Sequence, residues 1–493
     1  MADQKKYVNI LSKKAISDNV EAQQIIASLN IVPNKEGQTI TASGIVAGYS
    51  PINVAGVNAS VDENIQPENI KAGVDILGVE GNLEIPEYYR EFTINDYPRG
   101  RLTHKKTDKI INLNGVTSIG SGTLCYAYAA DGNLTTLDLS GITSIDSDLA
   151  CYKAFYNCGN LTRVNLSSLQ SIGGTYSNIT QEMFANCSKL TEVNLSSLTY
   201  LSGAQEMFAS CTSLESIDLS SVTSINGYAG ARGMFKNCSK LKSINLSNAT
   251  LSASASYKCS EMFSGCTSLK TADFSGFTSL GQYDMYRCFN ECTSLTSVDL
   301  SSIEQTTDHS LDRCFYLCRS LTNVDLSSLV SIGGSNSCTQ AFAHCESLES
   351  INFPALTTIG SSCSNMFQGC TSLITIGLPV LSEITITNAC YYMFSGCTSL
   401  TSVNFTALTT ISGLAMSFCF NDCTNLTTLS FPALKSDSFG RYTNQFNNML
   451  SGVTGCTVHF PSNLQSVMGS WADVVNGFGG TNTTVLFDLS ATE

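Results

Sequence analysis

Charge is the scarcest ingredient of this 493-residue chain. Only 13% of its residues are Asp, Glu, Lys or Arg, against about 25% in ordinary soluble domains. The balance is acidic, a formal −14, and no cluster of Lys and Arg offers itself to a phosphate backbone, which excludes nucleic acid as partner. No apolar run reaches the roughly 18 residues that a membrane-spanning helix needs. The opening stretch, MADQKKYVNILSKKAI, has early lysines but neither an unbroken apolar segment nor a small-residue cleavage site, so no secretory signal peptide is expected. That places maturation in a reducing cytoplasm. Also missing are a nucleophile elbow, a P-loop, a dinucleotide fingerprint and an H-E-x-x-H pair. The four histidines, His104, His309, His344 and His459, share no frame. An enzyme, and any cofactor, is not expected.

What the chain has instead is repetition. The stretch Phe155 to Ile172, F-Y-N-C-G-N-L-T-R-V-N-L-S-S-L-Q-S-I, returns at Phe184, Phe208, Phe235, Phe263, Phe289, Phe315, Phe342, Phe367, Phe394 and Phe420, in steps of 24 to 29 residues. A cysteine follows each aromatic by three positions, from Cys158 to Cys423, and a leucine follows that by three, from Leu161 to Leu426. Such a period signals a solenoid, in which each coil buries its apolar face against its neighbours. Leu321, Val324, Leu326, Leu329 and Ile332 exemplify five inward positions per coil. Their two apolar groups, separated by Ser-Ser or Pro-Ala, predict two short strands meeting at a corner. At about 1.5–3 kcal/mol per buried side chain, one coil gains about 10 kcal/mol gross, which the ordering of its backbone largely cancels, so only the stack is stable. Leu102 to Ile119, where Ile111-Asn112-Leu113 and Val116-x-x-Ile119 match the later strand positions, and Tyr128 to Ile145 are degenerate first coils, with Tyr128 in the aromatic slot and Asp131 in that of the cysteine.

The F-x-x-C-x-x-L-x-x-[VI]-x-[LF] frame resembles the BspA-like leucine-rich repeats, from about residue 102 to 460. The resemblance implies a curved right-handed solenoid used in adhesion or recognition. The coils here are longer than the family's, with variable insertions before each aromatic, and the secretion apparatus of bacterial surface members is not evident. The expected fold is thus mainly β: a solenoid over residues 96–461 of about twelve or thirteen coils, between an N-terminal β-rich attachment domain, 1–95, and a C-terminal helix-and-strand cap, 462–493.

The flanks have their own texture. Ser17-Asp18 is positioned to cap a helix running to Leu29, and short alternating runs with glycine turns follow Pro33. Glu68-Asn69-Ile70-Lys71-Ala72-Gly73-Val74-Asp75-Ile76-Leu77-Gly78-Val79-Glu80-Gly81 looks like a segment of bacteriophage tail and tail-fibre proteins; a generic β-turn-β module is the alternative. At the other end Ser462 is expected to cap a helix carrying Leu464, Val467, Met468 and Trp471, before a strand at Thr484 to Phe487.

Two side-chain rows invite a chemical reading. The 21 cysteines include the C-x-x-x-C pairs Cys288/Cys292, Cys314/Cys318 and Cys419/Cys423, a spacing that two adjacent coils could offer to zinc. A ladder of buried thiols explains every copy without metal, and no metal site is expected. Ten residues after each aromatic lies an outward strand position rich in Asp and Asn: Asp218, Asn245, Asp273, Asp299, Asp325 and Asn352 are the candidate ligand-binding residues. The competing reading gives those side chains to the solenoid's own turns. Together these features favour a phage tail or appendage protein, located in the virion, whose residues 1–95 join other virion proteins and whose solenoid, present in several copies or as a homo-oligomer, contacts a host-surface glycan or protein. The alternatives are a bacterial cell-surface adhesin and a purely structural virion decoration.

Overall fold

Two short strands and one long turn tract make most of the coils. The computed structural model of the protein describes residues 110–113, 115–174, 178–252, 255–436, 445–466 and 477–490, and before them the backbone of the strands at 38–40, 52–54, 75–76, 79–80 and 89–91. Two compact units divide the chain, Met1–Glu91 and Phe92–Glu493. In the first, Gln38–Ile40 pairs antiparallel with Ile52–Val54, and Asp75–Ile76 with Val79–Glu80. The latter strands are two residues apart in sequence, in keeping with a β-turn-β module. The helix expected before Leu29 lies outside the described residues.

In the second unit the expected strand pair recurs. Asn323–Asp325 and Ser331–Ile332 belong to one coil; the first pairs parallel with Ser297–Asp299 of the preceding coil, and the second with its counterparts in both neighbouring coils. Register is strict: Val298 faces Val324, and Ile332 faces Ile359. The inward set Leu321, Val324, Leu326, Leu329 and Ile332 is buried. Between the two strands the chain turns a corner by donating the Leu329 amide to the Leu326 carbonyl. Serine and threonine hydroxyls replace charges on this surface because they serve the stack: Thr322 Oγ1 donates to the Thr296 carbonyl at 3.1 Å, and Thr296 Oγ1 to that of Lys270 at 3.0 Å.

The third side of each coil is neither helix nor strand. In the tract around Phe155, Leu149, Lys153 and Asn157 adopt φ of 53°, 50° and 58°. The amides of Ala150, Tyr152, Ala154 and Tyr156 fold back on the carbonyl three residues earlier, while those of Cys151, Lys153, Phe155 and Asn157 donate to Ile179, Gln181, Met183 and Ala185 of the next coil. The same alternation recurs around Phe289, where Tyr283, Met285, Arg287, Phe289 and Glu291 donate to residues 308, 310, 312, 314 and 316. Left-handed residues other than glycine cost about 1–2 kcal/mol each; here each lets every second amide reach the neighbouring coil.

The aromatic of each frame is the spine. From Tyr128 through Phe155 to Phe420 the rings stack nearly parallel, with centroids 5.1 to 5.7 Å apart. Tyr128 therefore does fill the aromatic slot of a degenerate coil. At the far end Thr457–Pro461 pairs parallel with Thr484–Leu489, as expected for a closing strand. Where a helix was expected, Ser462–Ser466 forms a short 3-10 turn that buries Leu464; Val467, Met468 and Trp471 lie outside the described residues. Among the described residues no helix is long and apolar enough to cross a membrane.

Candidate recognition face

The Asp/Asn position falls on the longer strand, at its third residue. Alternation turns the middle residue inward, so that its two neighbours face out. Ser243–Asn245, Thr271–Asp273, Ser297–Asp299 and Asn323–Asp325 form one four-stranded sheet, with Asn245 opposite Asp273, Asp273 opposite Asp299, and Asp299 opposite Asp325. A second outward row, Thr271, Ser297 and Asn323, runs beside it. Between the rows lies an open concavity of about 290 Å³, floored by Ile244, Ala272 and Val298. The structure thus gathers four of the six candidates into one line.

The other two stand apart. Asp218 lies in no strand, because the ladder that ends at Glu192–Asn194 resumes only at Ser243–Asn245. Asn352 belongs to a separate pair with Thr375–Gly377.

Turn formation accounts for half of each side chain. Asp218, Asn245, Asp273, Asp299 and Asp325 each accept, through Oδ1, the amide of the serine two residues on, at 2.9 to 3.1 Å. These are Asx turns that swing the chain into the corner. The Ser220 hydroxyl, then its amide, holds the Asp218 carboxyl below the usual carboxylate range. Asn352 is followed two residues later by Pro354, which has no amide proton to give. Its Oδ1 instead fills the space a side chain would need at Gly377, where a Cβ would come within 2.0 Å.

The turn leaves something over. No described residue hydrogen-bonds Oδ2 of Asp273, Asp299 or Asp325. Asparagine performs the same turn at position 245 without charge, so the fold does not require three carboxylates side by side. Their mutual repulsion costs on the order of 1 kcal/mol per adjacent pair at a wet surface. The line can accept hydrogen bonds from a row of hydroxyls or amines on an extended ligand. No group of three or more His, Cys, Asp or Glu among the described residues is placed to hold a metal ion.

The cysteines are explained more fully than composition allowed. Each of the eleven thiols from Cys158 to Cys423 is buried and donates to the carbonyl of the aromatic one coil earlier, at 3.0 to 3.3 Å. That carbonyl also accepts the amide of the residue three on in its own coil, as Phe155 accepts that of Cys158 at 3.3 Å, so the thiol is its second donor, and nothing in the sequence pattern announces it. Burial pushes the Cys238 and Cys370 thiols up to about 12, which leaves them protonated and poor metal ligands.

The family model of the BspA type leucine rich repeat region, with six copies, matches residues 125–283, 231–363 and 311–451. The chain belongs to the BspA-type leucine-rich repeat family. Similar solved structures include a leucine-rich repeat protein from Bacteroides ovatus, at 20% identity over 72% of this chain and 88% of that one, with a TM-score of 0.34. A leucine rich cell surface protein from Faecalibacterium prausnitzii matches at 19% identity over 75% and 83%, with a TM-score of 0.29. A leucine-rich repeat protein from Eubacterium ventriosum matches at 17% over 68% and 90%, with a TM-score of 0.34. No curated protein matches the chain. The BspA-type match begins after the Glu68–Gly81 stretch, and none of these findings supports a phage-tail relationship for that segment.

Proposed function

We propose that this BspA-type solenoid is a non-enzymatic recognition protein of a cell surface, binding an extended glycan or peptide along the line from Asn245 to Asp325. The observation that carries the reading is the in-register row Asp273, Asp299 and Asp325, whose charge the turns do not need. A rigid sheet presents that row with little ordering entropy to lose on binding, and several copies on one surface add avidity. The surface location is supported by the family and by the Faecalibacterium prausnitzii structure, itself described as a cell surface protein. A virion appendage is the second reading, favoured only by the resemblance of Glu68–Gly81 to phage tail segments.

Binding of the full chain to glycan arrays and to candidate cells, compared with Asp273→Asn/Asp299→Asn/Asp325→Asn, tests the face. Asparagine keeps the Asx turns and removes the charge, so binding should fall while the unfolding midpoint holds or rises slightly. Undiminished binding by the triple variant rejects this face and turns attention to the insertions Tyr228–Arg232 and Thr306–Asp312. Immunogold electron microscopy decides location: label on the cell envelope supports the first reading, label on phage particles the second.

A further inference from the structure

Deep in the solenoid, at the slot five residues before each phenylalanine of the repeat, two coils carry charged residues where all the others but one, Ile179, carry Gly, Ala or Ser. Ser310 and Ser337 fill the slot in the two coils that follow. Lys258 and Asp284 fill it in adjacent coils, and both side chains have 0% exposure. The Lys258 Nζ sits 2.9 Å from Asp284 Oδ2 and 3.0 Å from Oδ1. Its remaining described contact is to the Ala255 carbonyl.

Backbone amides grip both carboxyl oxygens. Gly281 donates its amide to Oδ2 at 2.6 Å, and Lys258 its own amide to Oδ1 at 3.2 Å. Gly281 closes over the pair: a Cβ there would come within 2.9 Å of Oδ2 and 3.1 Å of Nζ. An amine and a carboxyl are therefore held in contact, away from solvent, with the Gly281 N–H aimed at Oδ2, where charge would develop during attack on the carboxyl carbon.

We propose that Lys258 and Asp284 condense into an intramolecular isopeptide bond that ties the coil of Phe263 to the coil of Phe289. The ammonium first passes a proton to the carboxylate, leaving a neutral amine and a neutral acid. The Nζ lone pair then attacks Cγ, the Gly281 amide stabilises the oxyanion that forms at Oδ2, and Oδ1, held by the Lys258 amide, becomes the departing oxygen. A proton moves from nitrogen to the departing oxygen, the C–O bond breaks, and one water leaves. No oxidation state changes and no co-reactant is needed. Burial favours the first step, because it raises the Asp284 carboxyl although Lys258 opposes that shift. It also favours the product: a buried ion pair retains a large desolvation cost, which a neutral amide sheds, and the released water goes to bulk solvent.

The test is the intact mass of the full chain under denaturing, reducing conditions. The wild type should be lighter than its sequence by one water, and digestion should yield a branched peptide joining Lys258 to Asp284. Lys258→Met and Asp284→Ala should each match the mass of their own sequence. A wild type at full sequence mass overturns the proposal, leaving a simple buried ion pair. A deficit that persists in Lys258→Met overturns it equally, since the water would then be lost elsewhere. If either variant fails to fold, the wild-type mass and peptide map still decide.

Discussion

Phe289→Ala is the sharpest probe of what holds the coils together. The ring is fully buried and stacks between Phe263 at 5.7 Å and Phe315 at 5.5 Å, with the edge of Phe274 at 5.3 Å. Truncating a core phenylalanine costs about 3–5 kcal/mol, and each aromatic pair adds about 0.5–1.5 kcal/mol beyond area alone. Two stacked partners and one edge contact put this site near the upper end, about 5 kcal/mol. Two coil interfaces share the vacancy, so the damage should extend through the coils of Phe263 and Phe315 rather than stay local. Urea unfolding followed by far-ultraviolet circular dichroism would measure the loss, and hydrogen exchange would map it onto the turn tracts that donate from one coil to the next. Ile374→Ala, at a residue 46% exposed, is the control and should stay within about 0.5 kcal/mol. If Phe289→Ala costs no more than this control, the stacked rings are passengers and the strand ladders alone carry the solenoid.

The thiols make a second prediction. With Cys370 pushed up to about 12, only about one molecule in ten thousand carries its thiolate at pH 8, so an alkylating reagent should reach half-buried Cys125 first and the ladder only as coils open. Rapid native-state labelling of the eleven ladder cysteines, or stoichiometric zinc by elemental analysis, would refute it. The third concerns acid. Because the Asp218 carboxyl is lowered in the fold, its contribution to stability is complete above the unfolded value near ~3.9 and disappears as pH falls through the lowered folded value. Ser220→Ala, which removes the hydroxyl but not the amide, should move the Asp218 titration seen by NMR back toward the ordinary carboxylate range; no movement would show that the hydroxyl contributes nothing.

Much of this architecture was legible because the inward positions repeat in chemistry as well as spacing. The Phe, Cys and Leu slots, the two strands and the Tyr128 substitution could all be read from periodicity. The turn tract could not. Its left-handed residues include Lys153, Glu182, Arg287, Leu317 and Phe418, none of which belongs to the Gly/Asn vocabulary that marks positive φ. Hydrogen bonding to the next coil selects that conformation, and such bonds leave no trace in a single frame. The candidate face was half legible. Strand alternation placed Asp273, Asp299 and Asp325 outward, but Asp218 lies in no strand although its frame reads like any other. The Lys258–Asp284 pair was invisible, because a lone lysine in a mixed segment reads as surface until the coils bring its partner alongside.

The turn tract also gives the solenoid an electrical direction. From Gly122 to Asp422 its inter-coil amides point toward the following coil and its carbonyls toward the preceding one. Parallel strands cancel most of their dipoles, but these peptide units add, as they do along an α-helix. Two identical stacks could therefore continue one another only head to tail; head to head, the tracts would set carbonyl against carbonyl or amide against amide. A coil inserted in the middle, by contrast, meets donors on one side and acceptors on the other wherever it lands. That is a physical reason why a chain of this kind can lengthen by internal duplication while its two ends stay chemically distinct.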